Sequence, residues 1–386
     1  MKDLSECRGL IDGIDDRLLE LIKERIGIAR EIADYKMAHG QPILDKVREQ
    51  AKLNDLTAKA EKLGLSPLLI RELFTMLMAR TVSIEQGYLI EKLSHGGIDR
   101  DTSVAYLGPV GTYSHLAAFR FLDPFGGKID SIECSSFEDI IASVENGRVE
   151  YGVLPIENSS SGNINEVLDL MQVTRASIVG ELFHPIDHSV LAVDAVPLDE
   201  IKEIYSHPQP IAQCSHWLKA NLPNVKITYT SSTSESMQKV AERKDRHCAA
   251  MGSAGAVRYY PLHPIVTDIS NNPNNYTRFI VVSMTPIEVP KPLRAKTSIT
   301  FSVQKFRPGS LIDVLNAFSS HNINLTKLQS RPLESKNKDT WEEIFFADIE
   351  ANVSSPEMQD ILTKIKPLTE SLKILGCYLN GAQERQ

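Results

Sequence analysis

Two arginines interrupt an apolar helical stripe near the N-terminus. Residues 4 to 35 place apolar side chains at steps of three and four along one face, and Arg8 and Arg25 occupy two positions of that stripe. A buried guanidinium is costly unless an anion pairs with it, so each arginine either meets an anion or extends to solvent at the edge of the stripe. Lys36 lies on nearly the same face as Arg25, which favours a polar pocket for a small anionic ligand.

The next two predicted helices supply further polar residues to this pocket. The second opens just after Pro42, and the third begins at the capping residue Ser66 with Pro67 in its first turn. The polar residues at the start of the second helix and on the apolar face of the third are Asp45, Arg48, Glu49, Thr81 and Glu85.

Arg8 and Arg25 are too far apart to bind one small ligand from a single helix. They are 17 residues apart in the chain, which corresponds to about 25 Å along a helix. Three helices are also too few to enclose a pocket. Two pockets shared between two chains resolve both difficulties, so the residues predict an intertwined helical dimer in which Arg8 reaches into the partner's pocket.

A hydroxyl and a guanidinium stand at the start of a predicted buried strand further along the chain. Thr277 and Arg278 directly precede the apolar run Phe279–Val282. Four loops between predicted strands and helices are rich in small polar residues: LGPVGTYSH, PIENSSSGN, YSHPQPIAQ and SSTSES. Ordinary helix caps have the same composition, but the free N–H groups of a helix's first turn also bind carboxylates. Four such loops together with Thr277 predict a ligand-binding cleft.

Three regions of the chain must position these residues. Residues 1–95 read as helices only, residues 102–286 alternate short β-branched runs with amphipathic stretches, and residues 295–380 follow the order β, α, β, β, α, β. The predicted fold is therefore multidomain: an all-α N-terminal domain, an α/β domain, and an α+β domain with a ferredoxin-like arrangement. The last of these contains no cluster of acid and base residues.

Composition limits the kind of partner. A net charge of -8 over 386 residues disfavours binding to nucleic acid or to an anionic membrane. No apolar run approaches the length of a membrane span, and the N-terminus is acidic where a signal peptide is basic, so the protein is expected to be cytoplasmic. Five scattered cysteines predict reduced thiols, with neither a disulfide frame nor a metal site, and no cofactor is expected.

The N-terminal pattern LxxxRxxIxxxDxxLLxLIxERxxxAxxIxxYK, followed by PILDxxRE, resembles the all-helical chorismate mutases. The resemblance implies a rearrangement of chorismate to prephenate, which needs only a held conformer and stabilisation of charge on the breaking C–O bond. It further implies that Arg8 of the partner, Arg25 and Arg48 hold the two carboxylates. Lys36 and Glu85 would flank the ether oxygen, and Asp45 and Glu49 would meet the hydroxyl. Some relatives have Ser and Gln where this chain has Thr81 and Glu85.

Residues 102–286 resemble prephenate dehydratase in VAYLGPVGTYSHLAA, GVLPIENSSSGNINEVLDL, YSHPQPIAQC and Thr-Arg-Phe. Members of that family fold as two α/β lobes around a cleft. The resemblance implies that Thr277 protonates the departing hydroxyl of prephenate while CO2 leaves and the ring becomes aromatic, giving phenylpyruvate. The matching residues that would line the cleft are Glu157, Asn158, Ser206, Gln213 and Arg278. Asn158 and Ser206 could also be turn residues, and Arg278 could instead pair with a loop carboxylate.

Residues 295–380 resemble ACT domains of the phenylalanine-sensing kind, which implies L-phenylalanine as an effector. The two ligand motifs match Gly309, Ser310, Leu311 and Ile312, and Gln329, Ser330, Arg331 and Pro332. Relatives usually read GALV and ESRP, so Ser310, Ile312 and Gln329 depart from the pattern. The loss of a carboxylate at position 329 leaves the strength of phenylalanine binding open.

The leading hypothesis is a bifunctional enzyme, a homodimer or higher homo-oligomer, that converts chorismate through prephenate to phenylpyruvate and is inhibited by phenylalanine. An enzyme that prefers arogenate in the dehydratase cleft is one alternative. A non-catalytic amino-acid sensor is another, although a sensor has no use for buried Arg8, Arg25 and Lys36.

Overall fold

The structure is a computed structural model of the 386-residue chain. It describes residues 3–41, 43, 45–95, 101–125, 127–291, 293–304, 307–333 and 342–380. No helix among these residues is both long enough and apolar enough to cross a membrane. The expectation for Pro42 falls outside the described residues.

Three helices form the N-terminal region, as the periodicity predicts: α1 (Leu4–His39), α2 (Lys46–Lys62) and α3 (Pro67–His95). The Asp3 side chain caps α1 by accepting a hydrogen bond from the Glu6 N–H, and α1 ends at Gly40 in the left-handed region with φ of 66°. Both α1 and α2 pack against α3. The N-terminal half of α1 extends beyond this packing, and its apolar side chains Leu4, Ile11, Ile14, Leu18 and Leu21 are at least half exposed.

The first lobe of the α/β region is built on one mixed sheet. Its elements in the first stretch of chain are β1 (Thr102–Leu107), α4 (Tyr113–Leu122), β2 (Ile129–Cys134), α5 (Phe137–Glu145), β3 (Tyr151–Asn158), β4 (Gly162–Asn163), α6 (Asn165–Val173) and β5 (Ser177–Pro185). A late strand, described below, returns to lie between β3 and β5. The β3 strand is buried along nearly its whole length, as expected for a strand covered on both faces.

The second lobe has a sheet of its own. Its elements are β6 (Ser189–Ala192), β7 (Glu203–Ser206), α7 (Pro208–Gln213), α8 (Ser215–Asn221), β8 (Lys226–Tyr229), α9 (Thr233–Arg243), β9 (Cys248–Gly252) and β10 (His263–Val266), and the strand order is β10-β6-β9-β7-β8. The chain then re-enters the first lobe as β11 (Tyr276–Ser283), giving that sheet the order β2-β1-β3-β11-β5 with β4 paired to β3. Because β11 leads back from the second lobe, its first residues lie beside the junction of the two lobes.

The C-terminal region follows the predicted order of strands and helices. It comprises β12 (Ala295–Val303), α10 (Ser310–Ser319), β13 (Leu325–Leu333), β14 (Glu342–Ile349), α11 (Pro356–Ile365) and β15 (Thr369–Leu379). The sheet is antiparallel with the order β13-β14-β12-β15, and its core is formed by residues such as Ile299, Phe301, Phe318 and Ile361.

Both terminal regions pack against the first lobe. On α3, a Cβ added at Gly87 would lie 2.6 Å from Pro124 Cβ, so glycine permits close approach of the helix to the α/β region. Arg80 of α3 forms an ion pair with Asp123 next to this contact. On the other side, β15 runs against β5, where Gly376 lies against the backbone of Ile178. The N-terminal helices and the C-terminal region therefore both contact the first lobe of the α/β region.

Candidate active sites

A cavity of about 730 Å³ lies among the three N-terminal helices. Seven of the eight polar residues predicted for this pocket line it: Arg25, Lys36, Asp45, Arg48, Glu49, Thr81 and Glu85. Apolar residues such as Ile28 and Phe74 line the same cavity beside these charges. Arg8 is the exception, because it lies on the exposed N-terminal half of α1.

Lys36 and Glu85 form the closest charged pair in the cavity. Lys36 Nζ donates to Glu85 Oε2 at 2.7 Å and to the Ile43 carbonyl oxygen at 2.5 Å. The Glu85 side chain is only 3% exposed. Burial raises the pKa of Glu85 above its ordinary value and nearby Glu49 raises it further, while Lys36 and Arg48 act in the opposite direction. The net upward direction, which the sequence alone left undecided, favours a carboxyl that can hold a proton.

Arg25, Thr81 and Asp45 differ in what they can offer a ligand. Among the described residues, Arg25 Nε is buried without a hydrogen-bond partner, so a donor is available to an anion in the cavity. Thr81 Oγ1 donates to the Leu77 carbonyl oxygen at 2.8 Å, so towards the cavity this hydroxyl can only accept. Asp45 caps α2 by accepting from the Arg48 N–H at 3.0 Å, which commits one of its oxygens to the helix.

A second polar site lies at the start of β11. Thr277 and Asn158 are direct cross-strand partners in β11 and β3. Asn158 Nδ2 donates to Thr277 Oγ1 at 2.9 Å, and Asn158 Oδ1 accepts from the Ser160 and Ser161 N–H groups, each at 2.9 Å. These acceptances fix the orientation of the amide. Because Thr277 Oγ1 accepts from Asn158, its own proton remains available to a ligand.

Residues of the second lobe approach this site. His188 Nε2 lies 2.7 Å from Gln213 Oε1, and His188 Nδ1 lies 3.2 Å from the Tyr113 hydroxyl. Burial lowers the pKa of His188, which favours a neutral ring, and the amide oxygen of Gln213 places the ring proton on Nε2. Gln213 was predicted from the sequence, whereas His188 and Tyr113 were missed. Tyr113 lies inside the GPVGTYSH motif, and that motif is the sequence signal that could have identified it.

The GPVGT loop is held in a fixed shape. Gly111 has φ of 86°, and its N–H donates to His115 Nδ1 at 3.2 Å. Burial and nearby Arg258 lower the pKa of His115 to about 4, so the ring is neutral and able to accept. Thr112 accepts from the His115 N–H and caps α4. The hydroxyl of this loop therefore acts as an ordinary helix cap.

Two residues that were predicted to line the cleft point to the opposite face of the sheet. Arg278 follows Thr277 on β11, and adjacent strand residues point to opposite faces of a sheet. The Arg278 guanidinium is 4% exposed and bonds to Glu181 and Asp348 instead. Glu157 precedes Asn158 in the same way and pairs with Lys327 Nζ at 2.9 Å. The structure thus corrects the expectation that Arg278 and Glu157 line the cleft with Thr277.

Ser206 lies fully buried at the end of β7, where its Oγ donates to the His207 carbonyl oxygen at 3.0 Å. It belongs to the second lobe, away from the Thr277–Asn158 pair. The lobes are joined nearby by a hydrogen bond from Gln209 Nε2 to Ser161 Oγ at 3.2 Å. Ser206 is therefore placed at the second-lobe side of the junction and not in contact with Thr277.

The two C-terminal motifs occupy the start of α10 and the middle of β13. Gly309 has φ of 82° and directly precedes α10, which begins with Ser310, Leu311 and Ile312. On β13, Gln329 Oε1 accepts from Asn163 Nδ2 at 2.8 Å, and Arg331 forms two N–H···O bonds to Asp169 at 2.8 and 2.6 Å. Gln329 and Arg331 therefore face the α/β region, while Ser330 and Pro332 alternate with them. Across the described residues, no group of three or more His, Cys, Asp or Glu side chains could hold a metal ion.

Comparison with known proteins matches two families in chain order. Chorismate mutase type II matches residues 7–86, and prephenate dehydratase matches residues 104–286. A bifunctional chorismate mutase/prephenate dehydratase of Enterobacter agglomerans is 40% identical over 375 residues, which are 97% of this chain and 95% of that protein. The match thus spans both sites and the C-terminal region.

Solved structures resemble the α/β and C-terminal parts. A prephenate dehydratase from Arthrobacter aurescens in complex with L-Phe has a TM-score of 0.64 and 27% identity, covering 74% of this chain and 91% of its own. GqqA, described as a novel type of quorum quenching acylase, has the same TM-score and identity and covers 72% of this chain and 97% of its own. Since one fold can host several activities, the near full-length relative is more informative. This chain belongs to the bifunctional chorismate mutase/prephenate dehydratase family, and it is an enzyme of phenylalanine biosynthesis with both activities.

Proposed function

We propose that residues 1–95 form the mutase domain and that the helical cavity is its active site. The Lys36–Glu85 pair next to the unpartnered Arg25 Nε carries this proposal, because it combines donors with a buried carboxyl in one cavity. Arg25 and Arg48 bind the carboxylates of chorismate, and Asp45 and Glu49 meet its hydroxyl. Lys36 and protonated Glu85 donate to the ether oxygen, on which negative charge grows as the C–O bond breaks. Thr81 accepts from the ligand.

Glu85 is expected to set the alkaline limit of mutase activity. Only the protonated carboxyl donates to the ether oxygen, and burial raises its pKa. Activity should therefore be present below that pKa and fall as pH rises through it. Glu85→Gln supplies an amide donor that does not titrate, so this limb should disappear from the pH profile of mutase kcat/KM. The same alkaline limb in both proteins would assign the titration to a group other than Glu85.

We infer that the mutase domain works as an intertwined dimer. The exposed apolar face of α1 extends over Leu4, Ile11, Ile14, Leu18 and Leu21, each at least half exposed in the single chain. The helical region of a second chain would cover this face. It would also bring the partner's Arg8 to the end of a cavity that already contains Arg25.

Mixing two inactive variants tests the shared pocket. Arg8→Ala and Arg25→Ala are each expected to lack mutase activity as homodimers. In a heterodimer, one of the two pockets receives Arg8 from one chain and Arg25 from the other, both intact. Random mixing in equal amounts should restore about a quarter of the wild-type sites, measured as chorismate consumption after refolding together. A mixture as inactive as its components would indicate that each chain closes its own pocket.

We further propose that residues 102–286 form the dehydratase domain and that Thr277 is its proton donor. Asn158 donates to Thr277 Oγ1, which leaves the Thr277 proton directed to the departing hydroxyl of prephenate. Loss of CO2 then supplies the electron pair that expels water and makes the ring aromatic. Gln213 binds a polar group of the substrate from the second lobe, and His188 holds Gln213. Ser206 is fully buried and supports the end of β7.

Residues 295–380 are proposed to be a regulatory ACT domain that binds L-phenylalanine. Its sheet order and two helices support this assignment, as does the L-Phe complex of the A. aurescens dehydratase. The segments Gly309–Ile312 and Gln329–Pro332 form the effector site. Gln329 and Arg331 contact Asn163 and Asp169, so the second segment adjoins the dehydratase domain.

The proposal is tested by supplying chorismate to the purified full chain and following phenylpyruvate, with and without L-phenylalanine. Phenylpyruvate should appear without an added enzyme, and L-phenylalanine should slow its formation. Parallel assays with prephenate and arogenate measure which substrate the cleft prefers. Accumulation of prephenate without phenylpyruvate would contradict the assignment of residues 102–286.

A further inference from the structure

A buried group of charged residues joins the back of the Thr277 strand to the C-terminal domain. We call it the Arg278 cluster, and its members are Arg278, Glu181, Lys296, Asp348 and Tyr378. The most exposed of them is only 6% exposed. Charged side chains are rarely this buried in proteins, so the cluster calls for an explanation beyond the two active sites.

Arg278 has a partner on each of its three guanidinium nitrogens. Nε donates to Glu181 Oε2 at 2.8 Å, Nη1 donates to Asp348 Oδ2 at 2.5 Å, and Nη2 donates to the Tyr378 hydroxyl at 3.1 Å. Glu181 belongs to the first lobe, whereas the other two partners belong to the C-terminal domain. The position of Arg278 is therefore set from both domains at once.

The cluster contains two cations and two anions, and each domain contributes one of each. Arg278 and Glu181 come from the dehydratase domain, and Lys296 and Asp348 come from the C-terminal domain. The bonds cross between domains, since Lys296 Nζ donates to Glu181 Oε1 at 2.5 Å and Arg278 donates to Asp348. Removing one member leaves an uncompensated charge in a buried place, which is strongly destabilising. Removing one cation together with one anion restores the balance.

The register of β11 explains why an anchor is needed beside Thr277. The ladder between β11 and β3 is regular from Phe279 onwards but shifts between Arg278 and Phe279. The irregularity lies between the core of the strand and the pair Thr277–Asn158. β-Bulges and similar register shifts change the direction of side chains and are common next to active sites. On its other side this end of β11 pairs with β5 in regular register. The direction of the Thr277 end relative to β3 therefore depends on the β5 ladder and on the side chains of β11, of which Arg278 has buried charged partners in both domains.

We propose that Arg278 is a positioning residue for the dehydration of prephenate, and that Asp348 of the C-terminal domain holds it in place. Arg278 lies on the opposite face of the sheet from Thr277 and does not touch the substrate. It acts by fixing the backbone at the start of β11, which aims the Thr277 hydroxyl and keeps its bond to Asn158. The C-terminal domain thereby contributes to dehydratase geometry even without an effector. The inference rests on the proposed role of Thr277.

Charge-balanced variants separate positioning from mere stabilisation. Arg278→Gln and Asp348→Asn each leave one unbalanced charge, and the double variant leaves Lys296 paired with Glu181. Each single change is expected to lower dehydratase kcat by about 10-fold to 100-fold with KM for prephenate changed less than about two-fold. The double variant should recover most of the lost Tm, while its kcat stays as low as that of Arg278→Gln. Recovery of kcat together with Tm would overturn the proposal, because the cluster would then only stabilise the fold.

Two further variants keep the test decisive. Arg278→Lys preserves the charge and so the fold, but it loses the planar fork that meets three partners, and its kcat should also fall by about 10-fold. Asp169→Asn is the matched control, because it breaks the exposed Arg331–Asp169 pair that links the same two domains away from β11. Its dehydratase kcat without effector should stay within about two-fold of wild type. Equal kcat losses in Asp169→Asn and Asp348→Asn, or an unchanged kcat in Arg278→Lys, would overturn the inference.

A failure of the Arg278 inference can be distinguished from a failure of the proposed role of Thr277. If Thr277 is not the proton donor, Thr277→Val retains dehydratase activity regardless of what the Arg278 variants do. If Thr277 is the donor and Arg278 does not position it, Thr277→Val is inactive. The kcat losses of the Arg278 variants then follow only their losses of Tm. Mutase activity, measured on the same samples, should be unchanged in every variant of the cluster and reports that the chain is folded.

Discussion

Replacing Arg25 with alanine is expected to lower mutase kcat/KM by about 100-fold to 1000-fold and to leave dehydration of added prephenate within about two-fold of wild type. The buried Nε has no hydrogen-bond partner among the described residues, and the proposed mechanism pairs it with a substrate carboxylate. Removing it leaves that carboxylate without a charge-assisted donor inside a cavity with apolar walls, where such bonds are strongest. Dehydration is spared because Thr277 lies in another domain. The measurement is steady-state kinetics with chorismate and, separately, with prephenate.

Arg71→Ala provides the control for the Arg25 variant. Arg71 also belongs to the helical region but lies outside the cavity lining, with Nη2 donating to Asn54 Oδ1 at 3.3 Å. Both activities should be close to wild type in this variant. If Arg25→Ala lost both activities while keeping its fold, the two reactions would share one site and the domain assignment would be wrong.

Thr277→Val is expected to lower dehydratase kcat by about 100-fold to 10,000-fold without changing mutase activity. Valine keeps the β-branched shape that suits a strand and removes only the hydroxyl that would protonate the leaving group. Asn158 Nδ2 retains the Asn275 side chain at 2.9 Å and the Tyr276 carbonyl oxygen at 3.2 Å as acceptors, so no buried donor is left unpaired. The loss should therefore be catalytic, with an unchanged Tm.

Thr277→Ser completes this experiment because it restores the hydroxyl without the methyl group. It should retain a large part of the wild-type kcat, with a deficit that reflects the freer rotamer of serine. A Thr277→Val enzyme within a few-fold of wild type would mean that a group other than Thr277 delivers the proton.

The helical pocket could be predicted from the sequence because its residues follow one period. The steps of three and four along α1 and the turn between Thr81 and Glu85 place side chains on one face before any tertiary contact is known. Seven of the eight predicted residues line one cavity for that reason. Arg8 is different, since its proposed place depends on a second chain, whose position no spacing within one chain can give.

The dehydratase side was harder to predict because its contacts are long-range. Thr277 and Asn158 are 119 positions apart, and nothing local pairs them. The orientation of Arg278 could have been predicted, since adjacent residues of a strand point to opposite faces, and Thr277 and Arg278 therefore could not both face the cleft. Its partners Asp348 and Tyr378 depend on how a separate domain docks. Local pattern carries no information about such docking.

The exposed face of α1 has a consequence for how the protein is made. Helix α1 is synthesised before the α/β region, and its apolar residues from Leu4 to Leu21 are not covered by any later part of the described chain. If a second copy covers that face, as proposed, the helical domain matures only after two chains have met, and the time this takes depends on the local concentration of chains. Translation of several chains from one messenger RNA would shorten this time. The mutase would then mature at a rate set by gene expression, while the dehydratase could fold as soon as its own strands are complete.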